Sequence, residues 1–274
     1  MTSIQKVIKY LAIAFAIFLI VTIISTTTAA IFALSGILGL KKDIEENLNT
    51  EMTKRILSSN EITALYIEVG FTNLTIKTGD VLIAETDNNN LKFKQEENKL
   101  RIEEENKKWF SNYEEKELIL YLPRDIEYEK IKINTGAGKI DIESLKTEKL
   151  LIELGAGETE INKLNVSKEC QIEGGAGKLS IKEGKINNLD LDMGVGEVNL
   201  TSNLTGKNEI NAGIGNLNID LKGEKESYKI QADKGFGTIN IDGKEIFDGD
   251  TFGNGESYIE IDGGIGNIKI DVAV

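Results

Sequence analysis

A lysine placed behind two glycines can neutralise a phosphate whose oxygens are cradled by the glycine amides. The chain carries such a set at Gly136, Ala137, Gly138 and Lys139. Carboxylates offer a second candidate chemistry. Glu153, Glu173, Asp192, Asp233 and Asp262 each stand two residues before a Gly-x-Gly triplet. Brought side by side they would repel one another unless a hard cation such as Ca2+ took their oxygens as ligands. Two of them on neighbouring segments could also act as acid and base on a glycan. Composition removes other chemistries. The chain has no histidine, and so lacks the commonest general base and metal ligand. Its lone cysteine, Cys170, can form neither an internal disulfide nor a zinc site.

Spacing decides between a phosphate loop and a backbone corner. The Gly-x-Gly triplet occurs seven times, opening at Gly136, Gly155, Gly175, Gly194, Gly213, Gly235 and Gly264, with intervals of 19, 20, 19, 19, 22 and 29 residues. A phosphate loop is a single site leading into a helix. Here every copy leads into alternating apolar and polar residues, as in "GAGKIDI" and "GVGEVNL". Period-two patterning on both sides of the triplet marks strands with one buried face. A repeat this short cannot bury that face alone, so neighbouring copies must stack. The expected fold class is all-β: a single-domain β-solenoid (β-helix) with coils of 19–22 residues, in which Gly-x-Gly turns the chain between strands. Lys139 is then one rung of an outward column continued by Glu158, Lys178, Glu197, Asn216, Thr238 and Asn267. Cys170 falls in an inward column with Leu150 and Leu189 and reads as a buried small hydrophobe. No catalytic residue and no cofactor are expected.

Two columns bear on binding. The triplet's middle residue runs Ala137, Ala156, Ala176, Val195, Ile214, Phe236, Ile265. An inward direction, widening the core, is the expectation; turned outward, Ile214, Phe236 and Ile265 would form an apolar contact stripe. The carboxylates Glu153, Glu173, Asp192, Asp233 and Asp262 face outward by parity. A solvated column is expected there, with Ca2+ as the alternative, because the sequence has neither an EF-hand loop nor the calcium-binding nonapeptide.

The elements ahead of the repeats differ. Residues 1–9 are a short tail. Residues 10–40, "YLAIAFAIFLIVTIISTTTAAIFALSGILGL", carry no charge and as a helix would span roughly 46 Å, enough to cross a bilayer. The run continues past the small residues Ala29 and Ala30, so a retained single-pass anchor is expected rather than a cleaved signal. Residues 41–59 repeat apolar side chains at Ile44, Leu48, Met52 and Ile56, the pattern of a helical stalk or cap over the first coil. Residues 60–135 form irregular opening coils, and 136–274 the regular ones. Residues 1–42 hold four lysines and no acid, so of the net charge of −13 the remainder carries −17. A surface so acidic repels nucleic acid.

The order of membrane helix, variable strand region, "LILYLP" at Leu118–Pro123 and serial "INTGAGKIDI"-type units resembles the bacterial putative-adhesin, β-strand-repeat family of unknown function, related to the toastrack domains of Lia-type envelope-stress proteins. The resemblance covers roughly 60–274. It implies a β-solenoid displayed outside the cytoplasmic membrane, although Lys41, Lys42, Lys54 and Arg55 behind the apolar run would favour the opposite orientation. The function expected is a membrane-anchored extracytoplasmic interaction module, adhesin-like or envelope-stress sensing. Its partners would be an envelope protein or a cell-wall polymer. The alternatives are a polysaccharide-acting enzyme and a structural spacer that associates end to end through the abrupt C-terminal strand "NIKIDVAV".

Overall fold

In the computed structural model, residues 52–57, 62–105, 115–247 and 249–272 are described, apart from the side chain of Lys234. The apolar run 10–40, most of the expected stalk and the acidic loop around Trp109 lie outside them. Among the described residues no helix is long and apolar enough to cross a membrane. Residues 51–274 form a compact unit of their own. Its described residues form strands, with one 3-10 turn among them at Lys225–Ser227.

Each regular coil runs strand arm, glycine corner, strand arm, and a short third segment before the next coil. Alternation buries one face of each coil. In β9 (Leu189–Thr205) the buried apolar residues are Leu189, Leu191, Met193, Val198, Leu200 and Leu204, each at most 8% exposed. Burying such side chains stabilises by about 1.5–3 kcal/mol each, and only a stacked neighbour can close them off from water. In β8 (Tyr128–Asn187) three coils follow one another without a break. Cys170 pairs with Leu189 and is fully buried, as its column required. The third segment is short: Lys185–Asn187 lies on Asn203–Thr205 after a register shift. Its inward residues Leu164, Val166, Ile186 and Leu204 close the core. Asn208 is the polar member of the column that contains Leu189. It accepts the Leu189 N–H at 3.0 Å and donates to the Tyr258 carbonyl at 3.1 Å, so its burial is satisfied on both neighbouring layers.

The stacking order departs from chain order at both ends. β10 (Lys207–Leu221) lies on β9, but the next layer is β14 (Ser257–Val272), and β11 (Tyr228–Ile241) is outermost. The expected serial stack is therefore corrected: the C-terminal strand is an interior layer, paired in parallel on both sides. The chain crosses to β11, folds β12 (Lys244–Ile246) and β13 (Thr251–Gly253) back onto it antiparallel, and returns through the gap. The 29-residue interval between the last two triplets is this excursion. At the other end β2 (Ala64–Val69) and β3 (Thr72–Gly79) lie on the first coil of β8. β6 (Lys99–Glu104) and β7 (Lys116–Pro123), later in sequence, lie outside them. β4 (Ile83–Thr86) and β5 (Leu91–Glu96) cover β7 and β6 antiparallel.

The helical stalk is overturned where it is described. Thr53–Ile56 is a strand, β1, pairing antiparallel with β4. Its outer positions suit an edge: Lys54 pairs with Glu85 at 3.1 Å and Arg55 stacks on Phe93. Met52 and Ile56 are exposed, so their four-residue spacing does not bury a stripe. An otherwise open β4 edge is satisfied by a strand and not by a helix.

Candidate functional site

The glycine corners come first, because they posed the phosphate question. The first glycine of each triplet stacks on that of the next layer, Gly136 on Gly70, Gly155 on Gly136 and so on to Gly264 on Gly213 and Gly235 on Gly264. The second glycines stack likewise, and Gly157 and Gly196 hold φ of 147° and 149°. A Cβ on Gly196 would lie 1.7 Å from the Gly177 carbonyl oxygen. The amides and carbonyls of the corner thus face the next layer's backbone. The space lined by Gly155, Gly157, Gly175, Gly177 and Lys178 is about 10 Å³, at the lower bound for one water. A phosphate does not fit there.

The corner column ends differently at its two extremities. Beyond Gly70 no further glycine corner follows among the described residues. The Glu104 carboxylate accepts the Gly70 and Phe71 N–H groups at 2.6 and 3.3 Å and is itself held by Asn88 at 2.9 Å. Asn73 similarly accepts the Lys139 N–H at 2.8 Å. At the other extremity, β13 pairs with Lys229–Gln231 of β11 and β12 with Ile239–Ile241. Neither covers residues 232–238 between them.

The middle residues of the triplets point outward, correcting the expectation that they widen the core. The glycines on either side bring successive corners too close for a side chain to pass inward. Val195, Ile214, Ile265 and Phe236 are successive register partners across β9, β10, β14 and β11. Ile265 is 42% and Phe236 52% exposed. Phe247, just after β12, is 67% exposed at the same extremity. The half-buried Ile214 and the exposed Ile265 and Phe236 are therefore neighbours on one ridge, with Ile265 and not Phe236 in the middle.

The acidic column is also assembled, in the order Glu153, Glu173, Asp192, Asn211, Asp262, Asp233. Its first members are held by protein groups. Lys132 and Asn134 donate to Glu153 at 3.1 and 2.6 Å, Gln171 to Glu173 at 2.9 Å, and Asn211 to Asp192 at 2.6 Å. Glu153, Glu173 and Asp192 line an open groove of about 570 Å³ together with Leu154 and Met193. Among the described residues no group of three or more carboxylate or thiol side chains is arranged to hold a metal ion. Sequence reasoning missed a parallel column two residues earlier: Asp190, Glu209 and Glu260 are successive register partners. The same period-two parity could have found it. Burial, then the charges of Asp192, Glu209 and Glu173, hold the Asp190 carboxyl above the usual carboxylate range. Interlayer pairs such as Lys149–Glu169, Lys168–Glu148 and Lys178–Glu197 balance charge elsewhere on the exterior.

Cys170 is buried and its thiol pushed well above the ordinary range by burial and then by Asp190, the reverse of an activated nucleophile.

The chain is similar to several solved structures. A solved structure described as a putative cell adhesion protein from Clostridium sporogenes is 16% identical over 81% of this chain and 99% of its own, with a TM-score of 0.40. One described as a putative adhesin from Bacteroides fragilis is 12% identical over 80% and 97%, with a TM-score of 0.28. No curated protein matches the chain. The profile of the Toastrack DUF4097 family matches residues 62–250, more than half of the sequence. The chain belongs to the Toastrack DUF4097 family.

Proposed function

We propose that this protein is a non-catalytic interaction module of the bacterial cell envelope, held at the cytoplasmic membrane by the apolar run 10–40 with its strand domain outside. The observation that carries the reading is the filling of the Gly-x-Gly corners by neighbouring backbone. The groups that would make a reaction centre are spent on stacking, and side-chain diversity is left to outward columns. A stack whose exterior carries interlayer ion pairs, acidic columns and an apolar ridge suits recognition by surface. The uncharged run 10–40 supports anchoring, and the adhesin descriptions of the similar structures favour the outer side.

Protease treatment of intact cells, followed by detection of the N- and C-terminal halves, tests the placement. Loss of the strand domain with survival of the N-terminal fragment is expected. A domain that is digested only after cell lysis would contradict it. Cross-linking on intact cells tests the module itself, with an envelope protein or wall polymer as the expected adduct.

A further inference from the structure

We propose that the exposed corner ridge Val195–Ile214–Ile265–Phe236, with the carboxylate face beside it, is a docking surface for a lysine- or arginine-rich amphipathic helix. The inference rests on the interaction-module reading and names the chemistry of its partner. Four observations carry it. The ridge is continuous across four layers, and its last two members are 42% and 52% exposed. It ends on the only described corner extremity that has no cap: Glu104 closes the far end, whereas β12 and β13 leave 232–238 uncovered. Six carboxylates, Asp190, Asp192, Glu209, Asp233, Glu260 and Asp262, share the two columns on the strand side of the ridge with the amides Asn211 and Gln231. That face is bounded by Lys207 and by Lys229, which stacks on Tyr258 at 5.6 Å.

Geometry selects a helix over a strand. Ridge residues repeat once per layer, roughly 4.8 Å apart. Side chains three and four apart on a helix are about 5–6 Å apart, whereas same-face residues of a strand are roughly 6.6–6.8 Å apart. A helix lying along the stack axis sets its apolar stripe on the ridge. Basic residues on the adjacent face of the helix then lie toward the carboxylate columns, which run parallel to the ridge, the nearer about 10 Å and the farther about 17 Å from it along the chain. Charge fixes the sign of the partner, since a face carrying six carboxylates repels an acidic helix and attracts a basic one.

The test uses the compact unit 51–274 and a synthetic helix of about three to four turns, with leucines on one face and lysines flanking them. Saturable binding that weakens with added salt is expected. A scrambled peptide of the same composition should bind about tenfold more weakly, because only the ordered stripe reaches the ridge. Phe236→Ser with Ile265→Thr should weaken binding about tenfold or more. So, separately, should Asp233→Asn with Glu260→Gln and Asp262→Asn, and this variant should flatten the salt dependence. All these positions are exterior, and unchanged melting of each variant verifies the fold. Equal binding of helix and scrambled peptide, or indifference to the ridge pair, would mean charge attraction alone and overturn the proposal. A concentration-dependent dimer abolished by the ridge pair would make a second copy the occupant and overturn it equally. If cross-linking on cells finds a partner that the ridge variants retain, the module reading stands and this assignment falls.

Discussion

A methyl group on Gly196 would sit 1.7 Å from the carbonyl oxygen of Gly177, on a residue with φ of 149°. Gly196→Ala therefore combines backbone strain with a clash that no side-chain rotation relieves, and should destabilise by about 3 kcal/mol or more. Gly243→Ala is the control. Its φ is 76° but nothing lies within 4 Å of an added Cβ, so a loss of only about 1 kcal/mol is expected. Urea denaturation of both variants measures the difference. Asp190 makes an opposite prediction. Its folded-state pKa is raised, so the fold gains from its protonation and loses that gain as the pH rises through the folded value. Asp190→Asn should stabilise at pH 7 by about 0.2–1 kcal/mol, toward the lower figure because the group is exposed. The gain should vanish as the pH drops below the carboxylate range. Asp242 behaves in reverse. Burial pushes its carboxyl up, but hydrogen bonds from Lys225 and the Val272 N–H, with the charges of Lys225 and Lys244, bring it below the usual value. Its contribution is present above the unfolded carboxylate pKa and is lost as the pH falls through the lower folded one. Asp242→Asn should remove that acid dependence in a pH series of melting curves. The residue-level identity of corner, ladder and core was legible because each is a fixed parity from the triplet. The direction of the triplet's middle residue was not, since parity fails where glycine bends the chain.

β14 shows how an element can mislead in sequence. "GGIGNIKIDV" at the end of the chain looks like a terminal coil, yet it lies between β10 and β11. Chain order gives no signal of this. The clue was the long interval before Gly264, which carries β12 and β13 out to the edge and allows the return. Truncation before Ser257 should therefore detach β11–β13 as well as remove β14. Hydrogen exchange is expected to show protection lost over both 228–241 and the exposed side of β10, where removal of a true end coil would leave β11 protected. Thr53–Ile56 fell to the same limitation. A four-residue apolar spacing resembled a helix, but an open edge at β4 supplied partners that only a strand can use. Asn208 and Glu104, which satisfy layer ends, were hidden because they are single substitutions in otherwise apolar or variable columns.

The unit 51–274 is a stack whose interior is uniform and whose exterior varies by column. The interior follows from the repeat. The exterior depends on which coils are neighbours, and that is where function is proposed to reside. If β14 lay at the end, Ile214 would adjoin Phe236 and Ile265 would stand last in the ridge. Paired cysteines on the exterior resolve this, because register partners in adjacent parallel strands are roughly 4.8 Å apart and within disulfide reach. Three double variants of the 51–274 unit suffice: Ile214→Cys with Ile265→Cys, Ile265→Cys with Phe236→Cys, and Ile214→Cys with Phe236→Cys. Cys170 is buried and does not compete. Under mild oxidation the first two pairs should form an intramolecular disulfide and the third should not. A crosslink between 214 and 236 without one between 214 and 265, or none in any variant, would contradict both the interleaved stack and the exposed ridge.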